Sequence, residues 1–197
     1  SVKQRRKEAI EKTVLRVREI MNDGVSVPQL ETAKQELMEL CTQAELFPRS
    51  DFPVPTGDLT ERTFLVHEED NGEYALYVNS GGPDQYSGPH NHGGSWAIVA
   101  AIEGEETHKL YIDEGLDAQP DVANIRQLTE ITVKPGTAVS MMPEGIHSIH
   151  GGDQPLLHLH LYGKGYAAQQ ERKAFDLEAG TVRRFILEDI GFVEDAR

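Results

Sequence analysis

Histidines dominate the part of the sequence whose residue types and spacing could support chemistry. His90 and His92 stand two residues apart in Pro-His-Asn-His, and on an extended strand such residues project from the same face. Two imidazoles on one face can share a metal ion, and His147 offers a third at the end of an apolar run. Imidazole is a good ligand for iron, zinc, copper and nickel. These three histidines therefore predict a metal site.

A second histidine-rich stretch alternates strictly between polar and leucine side chains. In Leu-Leu-His-Leu-His-Leu-Tyr-Gly, a strand would place His158, His160 and Tyr162 on one face and the leucines on the other. Because the leucines account for the packing face, we expect the polar face to line a cavity. The alternative is that this polar face lies in solvent.

The segment before these motifs reads as helical. Apolar residues recur at three- and four-residue steps over 3–21, and a second helix is predicted to begin with Ser26 as its N-cap and Pro28 in its first turn. Cys41 falls on the inner face of that helix, so we expect it to be a core residue. Prolines between 47 and 57 end the helical part.

Short strands separated by turn residues fill the chain from about Thr60 onwards. The predicted strands are 62–67, 73–79, 96–102, 107–112, 125–133, 137–142, 147–150 and 156–162, with a partly extended tail at 181–187. This pattern favours an all-β cupin-type barrel, a double-stranded β-helix. We expect a helical segment, 1–57, packed on a barrel, 58–197, within a single domain. His67 and His108 lie in polar surroundings and are expected at the surface.

Composition and charge restrict the partners. Of the 197 residues, 33 are acidic and 19 are basic, which gives a formal net charge of −14. Such a field repels nucleic acid and anionic membrane surfaces, and no apolar run is long enough for a membrane span. The single cysteine fits a reducing compartment, and no stretch resembles a secretory signal. We expect a cytoplasmic protein, of an oligomeric state that the sequence does not define.

The set of ligands decides between several chemistries. Cupins usually supply a Glu three or four residues after the second histidine, but Ser95 and Trp96 stand there in this chain. We therefore predict a three-histidine site without a carboxylate. On zinc with a bound water, such a site would serve a hydrolase or lyase. On Fe(II), it would leave one face free for a chelating substrate and O₂.

Three motifs in this order resemble those of the cysteine dioxygenase family of thiol dioxygenases. They are Pro-His-Asn-His, Gly-Ile-His and His-Leu-His-Leu-Tyr-Gly, and the resemblance covers roughly Thr60 to Tyr166. It implies a cupin enzyme that uses Fe(II) and O₂ to oxidise a small thiol, of the cysteine or 3-mercaptopropionate type, to the sulfinate.

The resemblance also implies roles for individual residues. His90, His92 and His147 would bind Fe(II), and His160 and Tyr162 would form a hydrogen-bonded pair with Tyr162 nearer the metal. Most family members have Ser where this chain has His158, so the hydrogen bonds of this catalytic group are expected to differ. The cysteine that crosslinks to the tyrosine in animal members corresponds here to Ala97, so we expect Tyr162 to be unmodified.

Two arginines are candidates for binding a substrate carboxylate, since guanidinium pairs with carboxylate through two hydrogen bonds. Arg62 resembles an arginine of the cysteine dioxygenases, and Arg172 resembles one in the bacterial 3-mercaptopropionate enzymes. We favour Arg62, because it opens a strand expected beside the metal-bearing strand.

Two other functions remain open at this point. One is a three-histidine cupin dioxygenase that cleaves a carbon–carbon bond in a diketone-like substrate. The other is a cupin that binds a metal or ligand without catalysis.

Overall fold

The computed structural model describes residues 1–115, 121–185 and 190–197. Two helices come first, α1 (Val2–Ile20) and α2 (Val27–Cys41). Within the described ranges the strands that follow are β1 (Glu61–His67), β2 (Glu73–Gly81), β3 (Tyr86–His90), β4 (Ala97–Glu103), β5 (Glu106–Asp113), β6 (Ile125–Val133), β7 (Ala138–Met141), β8 (Ile146–Gly151), β9 (Leu156–Lys164), β10 (Lys173–Asp176), β11 (Thr181–Arg184) and β12 (Val193–Asp195).

The strands form two six-stranded sheets. The order in the first sheet is β12-β1-β2-β9-β4-β7, and in the second sheet it is β11-β10-β3-β8-β5-β6. Neighbouring strands are antiparallel except β1 and β12, which pair in parallel. The chain passes repeatedly from one sheet to the other, as in a double-stranded β-helix, so the predicted cupin fold with N-terminal helices is confirmed.

The helices cover the outer face of the first sheet. Leu30 and Leu37 of α2 share one apolar core with Ile98 of β4 and Leu159 of β9. The side chain of Ser26 accepts a hydrogen bond from the Gln29 amide, as expected for an N-cap. The leucines of β9 therefore pack towards the helices, and its polar side chains point to the interior of the barrel.

The structure also tests the predictions for Cys41, for the extended tail and for the set of strands. Cys41 is buried in the helical core, where burial raises the pKa of its thiol to about 12. The extended tail begins as predicted with β11, whereas residues 186 and 187 lie outside the described ranges. The strands β10 and β12 had no counterpart in the sequence prediction. Across the described ranges, no helix combines the length and apolar character that a membrane crossing requires.

Candidate metal centre

Three buried histidines meet inside the barrel. His90 ends β3 and His147 lies on β8, where the two residues are register partners, and His92 follows in the turn after β3. Their ligand atoms all lie within 4.8 Å of one another. The Nε2 atoms of His90 and His147 are 3.2 Å apart. Metal–nitrogen bonds of about 2.1 Å at tetrahedral or octahedral angles place nitrogens roughly 3.0–3.4 Å apart, so this spacing fits a metal ion.

The second nitrogen of two of these rings is already engaged. His90 Nδ1 donates to the Gly88 carbonyl at 2.7 Å, and His147 Nδ1 lies 2.9 Å from His108 Nδ1. Both rings therefore leave Nε2 for a metal. Burial lowers the pKa of His90 to about 3 and the pKa of His147 well below its usual value. The rings are thus uncharged, as metal ligands must be.

His108 is not a surface residue, and that expectation was wrong. It is fully buried, with Nε2 2.8 Å from the Glu106 carboxylate and Nδ1 against His147. The polar neighbours Thr107 and Lys109 suggested exposure because they occupy the opposite face of β5. His67, in contrast, is partly exposed at the end of β1.

His158 points to the interior but not to the tyrosine. Its Nδ1 lies 3.0 Å from Glu106 Oε1, and its Nε2 lies 3.3 Å from the Gly104 carbonyl oxygen. Glu106 therefore contacts two buried histidines from two different strands. The sequence analysis missed Glu106, although Glu106 and His108 have the same two-residue spacing as His90 and His92.

The predicted pair of His160 and Tyr162 is present. The Tyr162 hydroxyl lies 3.2 Å from His160 Nδ1 and 3.5 Å from the hydroxyl of Tyr166. The rings of Tyr162 and His92 are 5.3 Å apart, which places the phenol beside the three histidines. Burial raises the pKa of Tyr162, so the hydroxyl keeps its proton. Ala97 is the register partner of Tyr162, so a methyl group lies where a crosslinking thiol would be needed.

A cavity of about 770 Å³ lies beside His90 and Tyr162 and opens to solvent. It is lined by His90, His160, Tyr162 and Arg172, among others. Glu61 also lines the cavity and accepts hydrogen bonds from Asn79 at 3.0 Å and from Gln85 at 2.6 Å. The cavity thus presents both a cation, Arg172, and a set of hydrogen-bonding groups.

Arg172 is a buried cation without an anionic partner in the described part of the chain. Its residue exposure is 4%, and neither Nε nor Nη1 has a hydrogen-bond partner there. The guanidinium lies over the rings of Tyr166 at 5.5 Å and Phe185 at 4.6 Å. Burial removes hydrating water from the charged guanidinium of Arg172, and this loss lowers its pKa. An anion entering the cavity would compensate for this loss.

Backbone contacts with the segment that carries His90 and His92 hold the neighbouring Arg172 at the cavity. The backbone amide and carbonyl of Lys173 bond Asn91, the residue between the two histidines, at 2.8 and 3.0 Å. Gly93 has φ +59°, and a Cβ there would lie 2.4 Å from the Gln170 carbonyl oxygen. Only a glycine lets the segment before Arg172 approach so closely.

Arg62 lies elsewhere. It forms two hydrogen bonds to the Glu194 carboxylate, at 2.9 and 2.6 Å, and so links β1 to β12. We predicted that β1 lies beside β3, the strand that carries His90. This prediction is wrong, because β1 and β3 belong to different sheets. On β1, the alternating residues Glu61 and Thr63 line the cavity, whereas Arg62 does not.

Comparisons with known proteins do not identify a family for this chain. No protein-family model matches the sequence, and no curated protein gives a significant match. A protein of Thermus thermophilus is similar in structure, with 17% identity and a TM-score of 0.45, over 60% of this chain and 97% of the other. Hydroquinone 1,2-dioxygenase from a Sphingomonas species has 17% identity and a TM-score of 0.44, over 58% and 72% of the two chains.

A third similar structure is a cupin domain of an XRE family transcriptional regulator from Enterobacter cloacae. It has 14% identity and a TM-score of 0.38, over 53% of this chain and 96% of the other. These similarities concern the barrel fold alone. What the chain binds must follow from its own residues.

Proposed function

We propose that this protein is a cupin thiol dioxygenase, which uses Fe(II) and O₂ to convert a small thiol into its sulfinate. The observation that carries the proposal is a cluster of three neutral imidazoles in which His90 lines the same cavity as the protonated phenol of Tyr162 and the buried guanidinium of Arg172. The motif resemblance to the cysteine dioxygenase family supports it.

The donor set suits a redox-active divalent ion. Three uncharged ligands leave the ion its full positive charge and leave further positions for substrate. When bound, Fe(II) would favour the thiolate form of the substrate and mediate the transfer of electrons from its sulfur to O₂. In the overall reaction both oxygen atoms of O₂ add to sulfur, and the thiolate becomes a sulfinate without loss of any other group.

Tyr162 and His160 would act on the oxygen or the thiol from the side of the cavity. Burial lowers the pKa of His160 to about 4, so its ring is neutral and has one proton. With that proton on Nδ1, His160 donates to the Tyr162 oxygen at 3.2 Å. The phenol proton is then free to point at the substrate, where a fixed donor stabilises developing negative charge.

Arg172 would bind the carboxylate of the substrate. Among the described residues, its Nε and Nη1 have no hydrogen-bond partner, so both donors are available to the oxygens of a carboxylate. The cation also lines the same cavity as His90, whereas Arg62 is already paired with Glu194. We therefore propose a thiol carboxylate as the substrate class.

The test is O₂ uptake by protein loaded anaerobically with Fe(II), using cysteine, 3-mercaptopropionate, mercaptosuccinate, cysteamine and a diketone. We expect uptake with at least one thiol acid, equimolar formation of its sulfinate, and no uptake after His147→Ala. Uptake with the diketone alone would favour the carbon–carbon-cleaving alternative. Metal binding without uptake from any compound would favour a non-catalytic cupin.

A further inference from the structure

A continuous chain of buried polar residues connects His147 to the opposite sheet. It runs from His147 through His108 and Glu106 to His158, and each of these residues is at most 2% exposed. The three links measure 2.9, 2.8 and 3.0 Å. Buried ionisable groups are costly unless they are paired, so a chain of four such residues requires an explanation.

The proton positions along this chain follow from the metal centre. His147 turns Nε2 towards His90 Nε2, which leaves its proton on Nδ1. That proton is donated to His108 Nδ1, so His108 must have its own proton on Nε2. His108 Nε2 in turn donates to Glu106 Oε1. With His147 binding through Nε2, each hydrogen bond along the chain therefore has one donor and one acceptor.

His158 completes the chain at the other end. Both of its nitrogens face oxygen acceptors, since Nδ1 lies against Glu106 Oε1 and Nε2 against the Gly104 carbonyl. His158 is therefore placed to hold the Glu106 carboxylate from the opposite sheet. Burial alone would raise the pKa of Glu106, but His158 and His108 outweigh this effect and hold it well below its usual value.

We propose that Glu106, acting through His108, is a positioning residue for the ligand His147, and that His158 supports Glu106 rather than Tyr162. A carboxylate behind the ligand fixes the tautomer and orientation of the His147 ring and makes it a stronger donor. Loss of such a partner typically weakens metal binding 10–100-fold. The inference rests on the metal centre of the proposed function and is independent of the thiol substrate.

The experiment compares Glu106→Gln with the unsubstituted 197-residue chain. Co(II) is titrated against a competing chelator, and the visible absorption of the bound Co(II) is recorded. We expect Glu106→Gln to bind Co(II) about 10–100-fold more weakly and to show a shifted absorption band. Glu105→Gln, on the exposed neighbouring position, should match the wild type in both measurements. Glu106→Asp should restore part of the affinity, which also covers the case that Glu106→Gln does not fold.

His158→Leu separates the two possible roles of His158. We expect weaker Co(II) binding in the same direction as Glu106→Gln. The inference is overturned if His158→Leu keeps wild-type affinity and absorption, or if folded Glu106→Gln does so. A wild-type chain that binds no Co(II) would instead refute the metal centre, and absence of O₂ uptake in a chain that binds Co(II) normally would refute only the thiol chemistry.

Discussion

Removal of the Tyr162 hydroxyl should strongly reduce catalysis without affecting metal binding. Tyr162→Phe removes this hydroxyl and leaves the packed ring, so we expect an intact fold and full metal content. Turnover with the thiol substrate should fall by about 100-fold, since a lost donor at a reacting oxygen has this effect. The measurements are O₂ uptake and metal analysis. An active Tyr162→Phe variant would remove Tyr162 from the mechanism, as would a loss of activity that merely follows a loss of metal.

The two arginines provide a matched pair for the substrate carboxylate. Arg172→Ala should raise KM for a thiol carboxylate at least about tenfold, since a charge-assisted pair contributes on the order of 2 kcal/mol. It should barely affect cysteamine, which has no carboxylate. Arg62→Ala should change neither value, because Arg62 is bound to Glu194. If only Arg62→Ala weakens the thiol carboxylate selectively, the assignment of Arg172 is refuted.

The side-chain direction of a single residue could be predicted where strand alternation alone determines it. His90, His160 and Tyr162 fall into this class, because period two places them on interior faces of their strands. The partner of His158 could not be predicted in the same way. Glu106 lies on another strand of the other sheet, 52 residues away in sequence, and no local pattern encodes a contact across the barrel.

The short strand β10 determines how Arg172 reaches the metal centre. Asn91 holds the backbone of this strand next to His90 and His92 through the hydrogen bonds to Lys173. Asn91→Ala removes the side-chain bond without touching a proposed ligand. We expect unchanged metal affinity and a rise in KM for thiol carboxylates on the order of tenfold, because small displacements of a positioned group are costly.

The matched control for Asn91→Ala is Asn124→Ala. The side chain of Asn124 likewise bonds the backbone of another segment, donating to the carbonyl of Glu114, but in an exposed loop, so KM should stay at the wild-type value. Equal KM values for Asn91→Ala and the wild type would show that β10 needs no such anchor. The strand β10 could not be predicted, because four residues with one buried position, Phe175, have no clear period.

Burial of the histidines has a consequence for the whole molecule. His160 keeps its ring neutral down to about pH 4 in the folded chain, whereas the ordinary pKa of histidine is about 6.5. Between these values the unfolded chain binds more protons than the folded chain. The free energy of unfolding must therefore fall as the pH falls, by up to about 1.4 kcal/mol per pH unit for each such histidine.

This prediction is tested by urea unfolding of the metal-free chain at pH values between about 6.5 and 5, where most carboxylates remain ionised. The slope should exceed that of one histidine, because burial also lowers the pKa of His90 to about 3. A flat profile over this interval would contradict the buried neutral state of these rings.

The fold as a whole was predictable because nearly every barrel strand has its own turn residues and a clear apolar pattern. The arrangement of the two sheets was not predictable from single strands. Arg62 illustrates this limit: its strand was identified correctly, but its neighbours in space are β2 and β12 rather than β3. The parallel pairing with β12 joins residues about 130 positions apart, and β12 itself has only three residues.

Oxidation of the best thiol acid under isotopically labelled O₂ tests the central claim most directly. The product is analysed by mass spectrometry after a single turnover of Fe(II)-loaded protein in unlabelled water. The proposed function predicts a sulfinate in which both oxygen atoms carry the label. A product that takes oxygen from water, a disulfide without sulfinate, or an unchanged thiol would contradict it.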